Sequence, residues 1–384
     1  MFFAILRALV PTDPKQIGFL SAPDLEDNSL AFFGTLIRYP RAHDYHLVWL
    51  VEDKANSEKI LAREFPNADL GNVTIVLKNS LRGFCLFLRC RYMFVTHGIY
   101  FFARSGYHQI ICNLWHGMPI KTIGSYDGKR RRDSMFMHYS IATSEYFADL
   151  IANAFYLSRD RVLVTGLPRN EWLFVREDKY LIFKEGRTKL AVWLPTYRQS
   201  YVGEYREDAG SSRIDPLDTE ILNKLDEILE GADVILMIKL HFMDIKNNQV
   251  WSSYNNIRIY TDSRFRSMGL NLYKLLACSD ALVTDFSSCA IDYILLNKPI
   301  GFFSPDKASY IRGFMPDVLR KIEAVGDELS SVEEFGAFLT NLPLGSRDAH
   351  EKEDLCRMNL RRPTESILEA VGLSSICSIA STDE

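Results

Sequence analysis

Cys278-Ser279-Asp280-Ala281-Leu282-Val283-Thr284-Asp285-Phe286-Ser287-Ser288-Cys289-Ala290-Ile291-Asp292 is the stretch on which the fold turns. Ala281 to Thr284 is a short apolar, β-branched run and reads as a buried strand. A polar break follows, and Ser288 to Leu296 reads as a helix. Working outward, the same rhythm recurs along the chain. Leu47–Val51, Val73–Leu77, Ile110–Trp115, Tyr139–Thr143 and Val162–Thr165 read as strands in the first half. Leu190–Leu194, Val234–Leu240, Ile257–Tyr260 and Ile300–Phe303 do so in the second. Helical spacing fills the intervals at Glu145–Leu157, with Ser144 as its N-cap, and at Asp218–Leu229 and Leu270–Cys278. Such alternation predicts an α/β protein with parallel sheets covered by helices on both faces. The 384 residues suffice for two doubly wound, Rossmann-like domains with a cleft between them. We expect one over 1–180 and the other over 188–345, with a charged linker within Arg176–Arg187 and a helix with a frayed tail over 346–384. No repeat of solenoid period is visible.

Composition narrows the function classes. Apolar residues make up 47% and charged ones 24%, which fits a globular chain and excludes disorder as its main state. Seven scattered cysteines have no paired C-x-x-C spacing, which argues against a disulfide framework or structural zinc and for a reducing, cytoplasmic setting. No run reaches the length of a membrane span. The apolar opening from Met1 to Val10 lacks a basic flank and a cleavage site, so we read it as a buried strand or surface-seeking end. The net charge of −4 is uneven: from Lys78 to Arg132 the chain carries +9, leaving −13 elsewhere. A basic window in an acidic protein points to an anionic partner. No helix-turn-helix or RNA-binding pattern organises it, so nucleic acid is not expected. Between Lys78 and Arg104, cations alternate with Phe84, Leu86, Phe87, Leu88, Tyr92, Met93 and Phe94. That pattern fits an element drawn to anionic lipid, and equally a core helix and strand whose charges face water.

Polar residues gather where strands end. Trp115-His116-Gly117-Met118-Pro119-Ile120-Lys121 follows a strand, which sets an imidazole on a turn shaped by Gly and Pro. Histidine titrates near neutrality and suits proton removal from a hydroxyl, although a half-buried His bonded to a loop accounts for the same residues. Lys121 and Lys129-Arg130-Arg131-Arg132 offer cations to phosphate oxygens, or form a solvated turn. Ser287 or Ser288 would cap a helix and leave amides open to a diphosphate; an ordinary serine cap is the plain alternative. Asp292 could accept from a ribose hydroxyl or be a solvated helix carboxylate. Gly166-Leu167-Pro168-Arg169-Asn170, Pro195-Thr196-Tyr197-Arg198 and Lys239-Leu240-His241 complete a set of cationic loops at strand ends. The polar stretch from Val202 to Asp215 reads as a mobile loop.

In this order the motifs resemble the CDP-glycerol glycerophosphotransferases, the teichoic acid primases and polymerases with their capsule-synthesis relatives. The family's W-H-G-x-P-x-K-x-x-G matches Trp115 to Gly124, its G-x-P-R-N matches Gly166 to Asn170, and its P-T-[WY]-R matches Pro195 to Arg198. Its basic-x-His matches Lys239 to His241, and its S-D-x-L-[IV]-T-D-[YF]-S-S, then D and L-x-K-P, matches Ser279 to Pro299. An R-G-F element follows at Arg312 to Phe314, after which the usual aromatic and Pro-Gly-Pro segment is absent. The match spans about residues 90 to 315.

The resemblance implies a GT-B fold, acceptor side first and nucleotide side second, with peripheral attachment at the inner face of the cell membrane. It implies transfer of a polyol phosphate, glycerol phosphate first, from a CDP-activated donor to a hydroxyl of a lipid-linked or polymeric acceptor, releasing CMP. By that analogy His116 and His241 are catalytic, with His116 the base. Arg198, Lys239, Thr284, Asp285, Ser287, Ser288 and Asp292 serve the donor diphosphate or nucleotide, and Gly117, Lys121, Arg169 and Arg312 line the cleft. Without a metal-ligand carboxylate cluster, no cofactor is expected. A GT-B glycosyltransferase using a nucleotide sugar, and a non-catalytic glycan-binding component of a polymer assembly complex, are the alternatives.

Overall fold

A computed structural model describes residues 9–98, 100, 108–127, 136–196, 217–241, 244, 251–305, 307, 313–343, 345–347, 349–357 and 362–377. Most of the apolar opening, Arg104, the run Lys129–Arg132, Arg198, the 202–215 loop, Arg312 and the end of the tail lie outside the described residues.

The first sheet has seven parallel strands: β1 (Asp13–Leu20), β2 (His46–Val51), β3 (Val73–Leu77), β4 (Cys90–Val95), β5 (Ile110–Asn113), β6 (Tyr139–Ala142) and β7 (Val162–Val164), in the order β3-β2-β1-β4-β5-β6-β7. The second has six: β8 (Lys189–Leu194), β9 (Val234–Lys239), β10 (Ile257–Tyr260), β11 (Ala281–Thr284), β12 (Ile300–Phe303) and β13 (Asp327–Leu329), in the order β10-β9-β8-β11-β12-β13. Both orders reverse direction next to their first strand, so each sheet has a switch point: β1/β4 in one and β8/β11 in the other. In sheets of this kind, ligands bind beyond the strand ends at such a point.

Every expected strand forms, with boundaries moved by at most two residues. Of the other three, β4 lies in the Lys78–Arg104 stretch, where a core helix and strand was one of two readings, and β1 and β13 were not expected. β1 sits at the centre of its sheet, yet begins Asp-Pro-Lys-Gln and carries Gly18 within it. Tertiary packing explains both polar and missing side chains. Gln16 is buried and donates to the Leu86 carbonyl at 3.1 Å. A Cβ at Gly18 would lie 2.2 Å from Met93 Sδ. Phe19 then stacks between Trp49 and Phe94 at 5.2 and 6.1 Å, its partners on the two neighbouring strands. Around Trp193, Phe303 and Phe335 pack edge-on to form the second core.

Up to Val95, the Lys78–Arg104 stretch forms a core helix and strand. Helix Leu81–Arg89 buries Phe84, Phe87 and Leu88 while Arg82 and Arg89 face water, and β4 continues it. Its apolar face is therefore used inside the first core rather than offered to lipid. Ser144 does cap helix Glu145–Phe155, accepting from the Phe147 amide at 3.2 Å.

The chain separates into two units: Met1–Met118, Gly124–Glu171 and Asn359–Glu384 in one, Pro119–Ile123 and Trp172–Met358 in the other. The segment expected to be a linker contains a 3-10 helix, Asp178–Lys184, that buries Tyr180 and Phe183. Helix Pro363–Ala370, in the expected tail, packs within the first unit, where Glu365 accepts from the Tyr39 hydroxyl at 2.5 Å. None of the seven cysteines forms a disulfide, and burial pushes the Cys90 and Cys112 thiols up to about 12.

Candidate functional site

Beyond the carboxyl ends of β4 and β5, beside the first switch point, lie Thr96-His97 and the His116 turn. β5 stops at Asn113 because Trp115 turns into the left-handed region at φ +56°, its amide donating to Asn113 Oδ1 at 2.8 Å. Gly117, at φ +121°, completes a turn that a side chain would strain. His116 stands exposed, its Nδ1 3.1 Å from the Thr96 carbonyl and its ring stacked on His97 at 4.2 Å and on Trp115 at 4.8 Å. A carbonyl can only accept, so in the neutral ring Nδ1 carries the hydrogen and Nε2 is the basic nitrogen.

Beneath this turn lies a buried polar pedestal. Asn28 donates through Nδ2 to the Leu114 and Trp115 carbonyls at 2.9 and 3.0 Å, and its Oδ1 accepts from the Arg169 amide at 3.1 Å. Arg169 Nη1 donates to the His116 carbonyl at 3.1 Å and pairs with Asp27 at 2.7 Å. Arg169 is 4% exposed, so it holds the backbone of the His116 turn instead of facing a ligand as expected. Only the Arg-Asn of the G-x-P-R-N motif hinted at this. Asp27, Asn28 and Thr96 lie where the chain shows no recognisable pattern.

The W-H-G-x-P-x-K-x-x-G motif continues into the second unit through Pro119–Ile123. Half-buried Lys121 bridges antiparallel to Phe314, flanked by Thr122 N–H to Gly313 O at 2.9 Å and Met315 N–H to Ile120 O at 2.8 Å. The Phe314 ring lies 5.1 Å from Phe286, so three motifs distant in sequence converge here. Back in the first unit, Gly124 closes the motif at φ +54°, where a Cβ would lie 2.2 Å from the Ala154 carbonyl oxygen.

The second switch point carries the other half of the expected site. The Asp285 carboxylate, 4% exposed, accepts from the Thr196 amide at 3.0 Å, the Thr196 hydroxyl and the Phe286 amide at 2.6 Å. It therefore ties the loop after β8 to the loop after β11. A carboxylate so engaged repels a diphosphate, and Asp285 acts as a clamp rather than a ligand. Thr284 is fully buried with its hydroxyl spent on the Leu194 carbonyl at 2.7 Å, so it too is structural. Asp292 is neither solvated nor placed to meet a ribose: it is fully buried and accepts from the Tyr273 hydroxyl at 2.5 Å. Lys239 is committed to Asp262 at 2.5 Å, an acid shared with Arg266. Burial would raise the Asp262 carboxyl, but Lys239 and Arg266 hold it below the usual range.

Ser287, Ser288 and, beyond β9, His241 are half-buried at this edge. The order β9-β8-β11 sets the His241, Thr196 and Ser287 loops side by side. The α-helix after Ser288 spans only Cys289–Tyr293 before tightening to 3-10 geometry, so its dipole is small. The Cys289 amide donates to Ser287 Oγ at 3.4 Å, and the first intrahelical bond is Ala290 N–H to Ser287 O at 3.2 Å. Among the described residues no cluster of three His, Cys, Asp or Glu could hold a metal ion, and no helix is long and apolar enough to cross a membrane.

With this geometry in hand, residues 1–359 match the family described as CDP-Glycerol:Poly(glycerophosphate) glycerophosphotransferase. The chain belongs to that family. It is a transferase of the CDP-glycerol type, whose chemistry is polyol phosphate transfer in teichoic acid synthesis. It is 26% identical over 324 residues to the teichoic acid glycerol-phosphate transferase of Staphylococcus aureus, covering 77% of this chain and 76% of that one. It is 28% identical over 224 residues to the teichoic acid poly(glycerol phosphate) polymerase of Staphylococcus epidermidis, covering 54% of this chain but 30% of that longer protein. A structure of the wall teichoic acid polymerase TagF, a histidine-to-asparagine variant soaked with CDPG, superposes with a TM-score of 0.73 at 20% identity, covering 97% of this chain and 93% of that one. The fold is therefore GT-B-like, as expected.

Proposed function

We propose that this chain transfers glycerol phosphate from CDP-glycerol to a hydroxyl of a lipid-linked or polymeric acceptor in teichoic acid or related capsule-like polymer synthesis, with His116 as general base. The observation that carries the reading is the bond between His116 Nδ1 and the Thr96 carbonyl, which makes Nε2 the basic nitrogen of an exposed side chain. In the reaction the acceptor hydroxyl gives its proton to Nε2 as its oxygen bonds the donor's β-phosphorus. The bond from that phosphorus to the bridging oxygen breaks, and CMP departs with the electron pair. Such transfer depends on positioning and charge neutralisation more than covalent help. Ser287, Ser288, the amides that begin the following helix, His241 and the motif residue Arg198 would supply donors and charge to the diphosphate. Arg312 and Lys121 remain candidates for ligand contact. Asp285, Thr284, Lys239 and Arg169 support these groups from behind.

We expect no metal requirement and a peripheral position at the inner face of the cell membrane, where an acceptor on lipid would be met. Incubation with CDP-glycerol, CDP-ribitol and nucleotide sugars, with a lipid-linked acceptor analogue and with or without EDTA, tests the reading. CMP release from CDP-glycerol that EDTA leaves unchanged supports it. Release of a nucleoside diphosphate from a nucleotide sugar instead would make the chain a glycosyltransferase. Sedimentation with vesicles of anionic and of neutral lipid tests the membrane position.

A further inference from the structure

Consecutive residues at the end of β4 serve His116 in two ways. The Thr96 carbonyl bonds Nδ1 at 3.1 Å, and the next ring, His97, lies face to face with the His116 ring at 4.2 Å and 9°. Thr96 is fully buried, and its hydroxyl sits 2.9 Å from His97 Nδ1, so both imidazoles are anchored to one residue just past the end of β4. Stacking alone would be served by any flat side chain. A second imidazole adds a group that can itself become charged, 4.2 Å from the base.

We infer that His97 is a positioning residue for the transfer, which fixes the plane of the His116 ring and opposes protonation of that ring, so that Nε2 stays available as a base in mildly acidic conditions. The inference rests on the reading of His116 as base. Two like charges this close repel strongly unless water separates them, so the pair takes up its two protons in separate steps rather than together. Arg169 and Trp115, also close to His116, do not replace this effect. Arg169 reaches the His116 backbone carbonyl, not the ring, and its charge is matched by Asp27 at 2.7 Å. Trp115, stacked at 4.8 Å, is neutral and favours a cationic ring.

The test is a pH titration of the His116 ring by NMR in the full chain, alongside kcat/KM for CMP release from pH 5.5 to 9, for the parent, His97→Phe and His97→Gln. Phe keeps the stack and Gln keeps polarity, so at least one variant should fold; neither can carry charge. The His116 midpoint should rise by about half to one pH unit in both variants, and the acid limb of kcat/KM should move with it. Activity at pH 6 should then fall several-fold relative to activity at pH 8.5. An unchanged His116 midpoint in the folded variants overturns the inference, whatever activity does. A shifted midpoint with an unshifted activity limb upholds the imidazole pair and instead overturns His116 as the base.

Discussion

At the first switch point the loops are held by donors; at the second they are held by an acceptor. Asn28 and Arg169 reach the carbonyls of Leu114, Trp115 and His116, whereas Asp285 reaches the amides of Thr196 and Phe286. The chemistry of each clamp follows from which side of the peptide group faces inward. It also decides what remains for a ligand. The donor clamp consumes carbonyls and leaves an imidazole standing exposed, which suits proton removal. The acceptor clamp consumes the first amides of its loop and leaves the half-buried Ser287 and Ser288 hydroxyls, which suit an anion. Burying such groups is tolerable only because each has its partner, so the clamps should be intolerant of change.

The comparison breaks most sharply if the two edges do not differ in role. His116→Ala should lower CMP release by about 10² to 10⁴-fold, the usual range for a lost general base, with little change in the urea midpoint. Near-normal turnover would remove the first edge from the chemistry. Asn28→Ala strands two carbonyls and one amide in a site with no water access; we expect a stability loss of about 3 kcal/mol in urea unfolding and a lower kcat. Asn28→Asp should be no better, since a carboxylate would face the same two carbonyls. Asp285→Ala should raise KM for the CDP donor about tenfold while costing about 1–3 kcal/mol, because it frees the two loops that border the donor edge. Measured donor affinity equal to that of the parent would show that the second clamp does not shape the site.

The smallest effect sharpens the contrast through two carboxyls of opposite behaviour. In the first unit burial raises the Glu171 carboxyl, against the opposing pull of the Thr35 hydroxyl, with Glu365 nearby raising it further and Arg38 lowering it. Its contribution is present below the ordinary carboxyl value of about 4 and is lost as pH rises through the raised value. Asp262, held low by Lys239 and Arg266, contributes above that ordinary value and loses its contribution as pH falls through the depressed one. Thermal midpoints from pH 3 to 8 should therefore show Glu171→Gln gaining on the parent as pH rises, and Asp262→Asn losing less than the parent in acid. Parallel curves for all three proteins would refute the assignment.

Much of this was legible in the chain. Strands such as Leu190–Leu194 and Ile300–Phe303 are continuous apolar runs, and they formed within one residue of where expected. β1 was not legible, because its Gln16 and Gly18 make sense only against Leu86 and Met93, about seventy residues away. The motif residues were found, but the contacts that several of them make were not. Arg169, Thr284, Asp285 and Lys239 looked like ligand groups because their side chains are charged or polar at strand ends. Their partners, Asp27, the Leu194 carbonyl, Thr196 and Asp262, are distant in sequence and follow no pattern.

From the sequence by itself came the alternation of strand and helix, the family, and the residues that crowd the strand ends, because short-range apolar periodicity and local turn chemistry are written residue by residue. Only the tertiary structure decided which polar groups are spent on holding the loops and which are left exposed. A side chain's hydrogen-bonding capacity is consumed by whatever neighbours folding brings to it, and for Asp285 and Arg169 those neighbours lie 89 and 142 residues away.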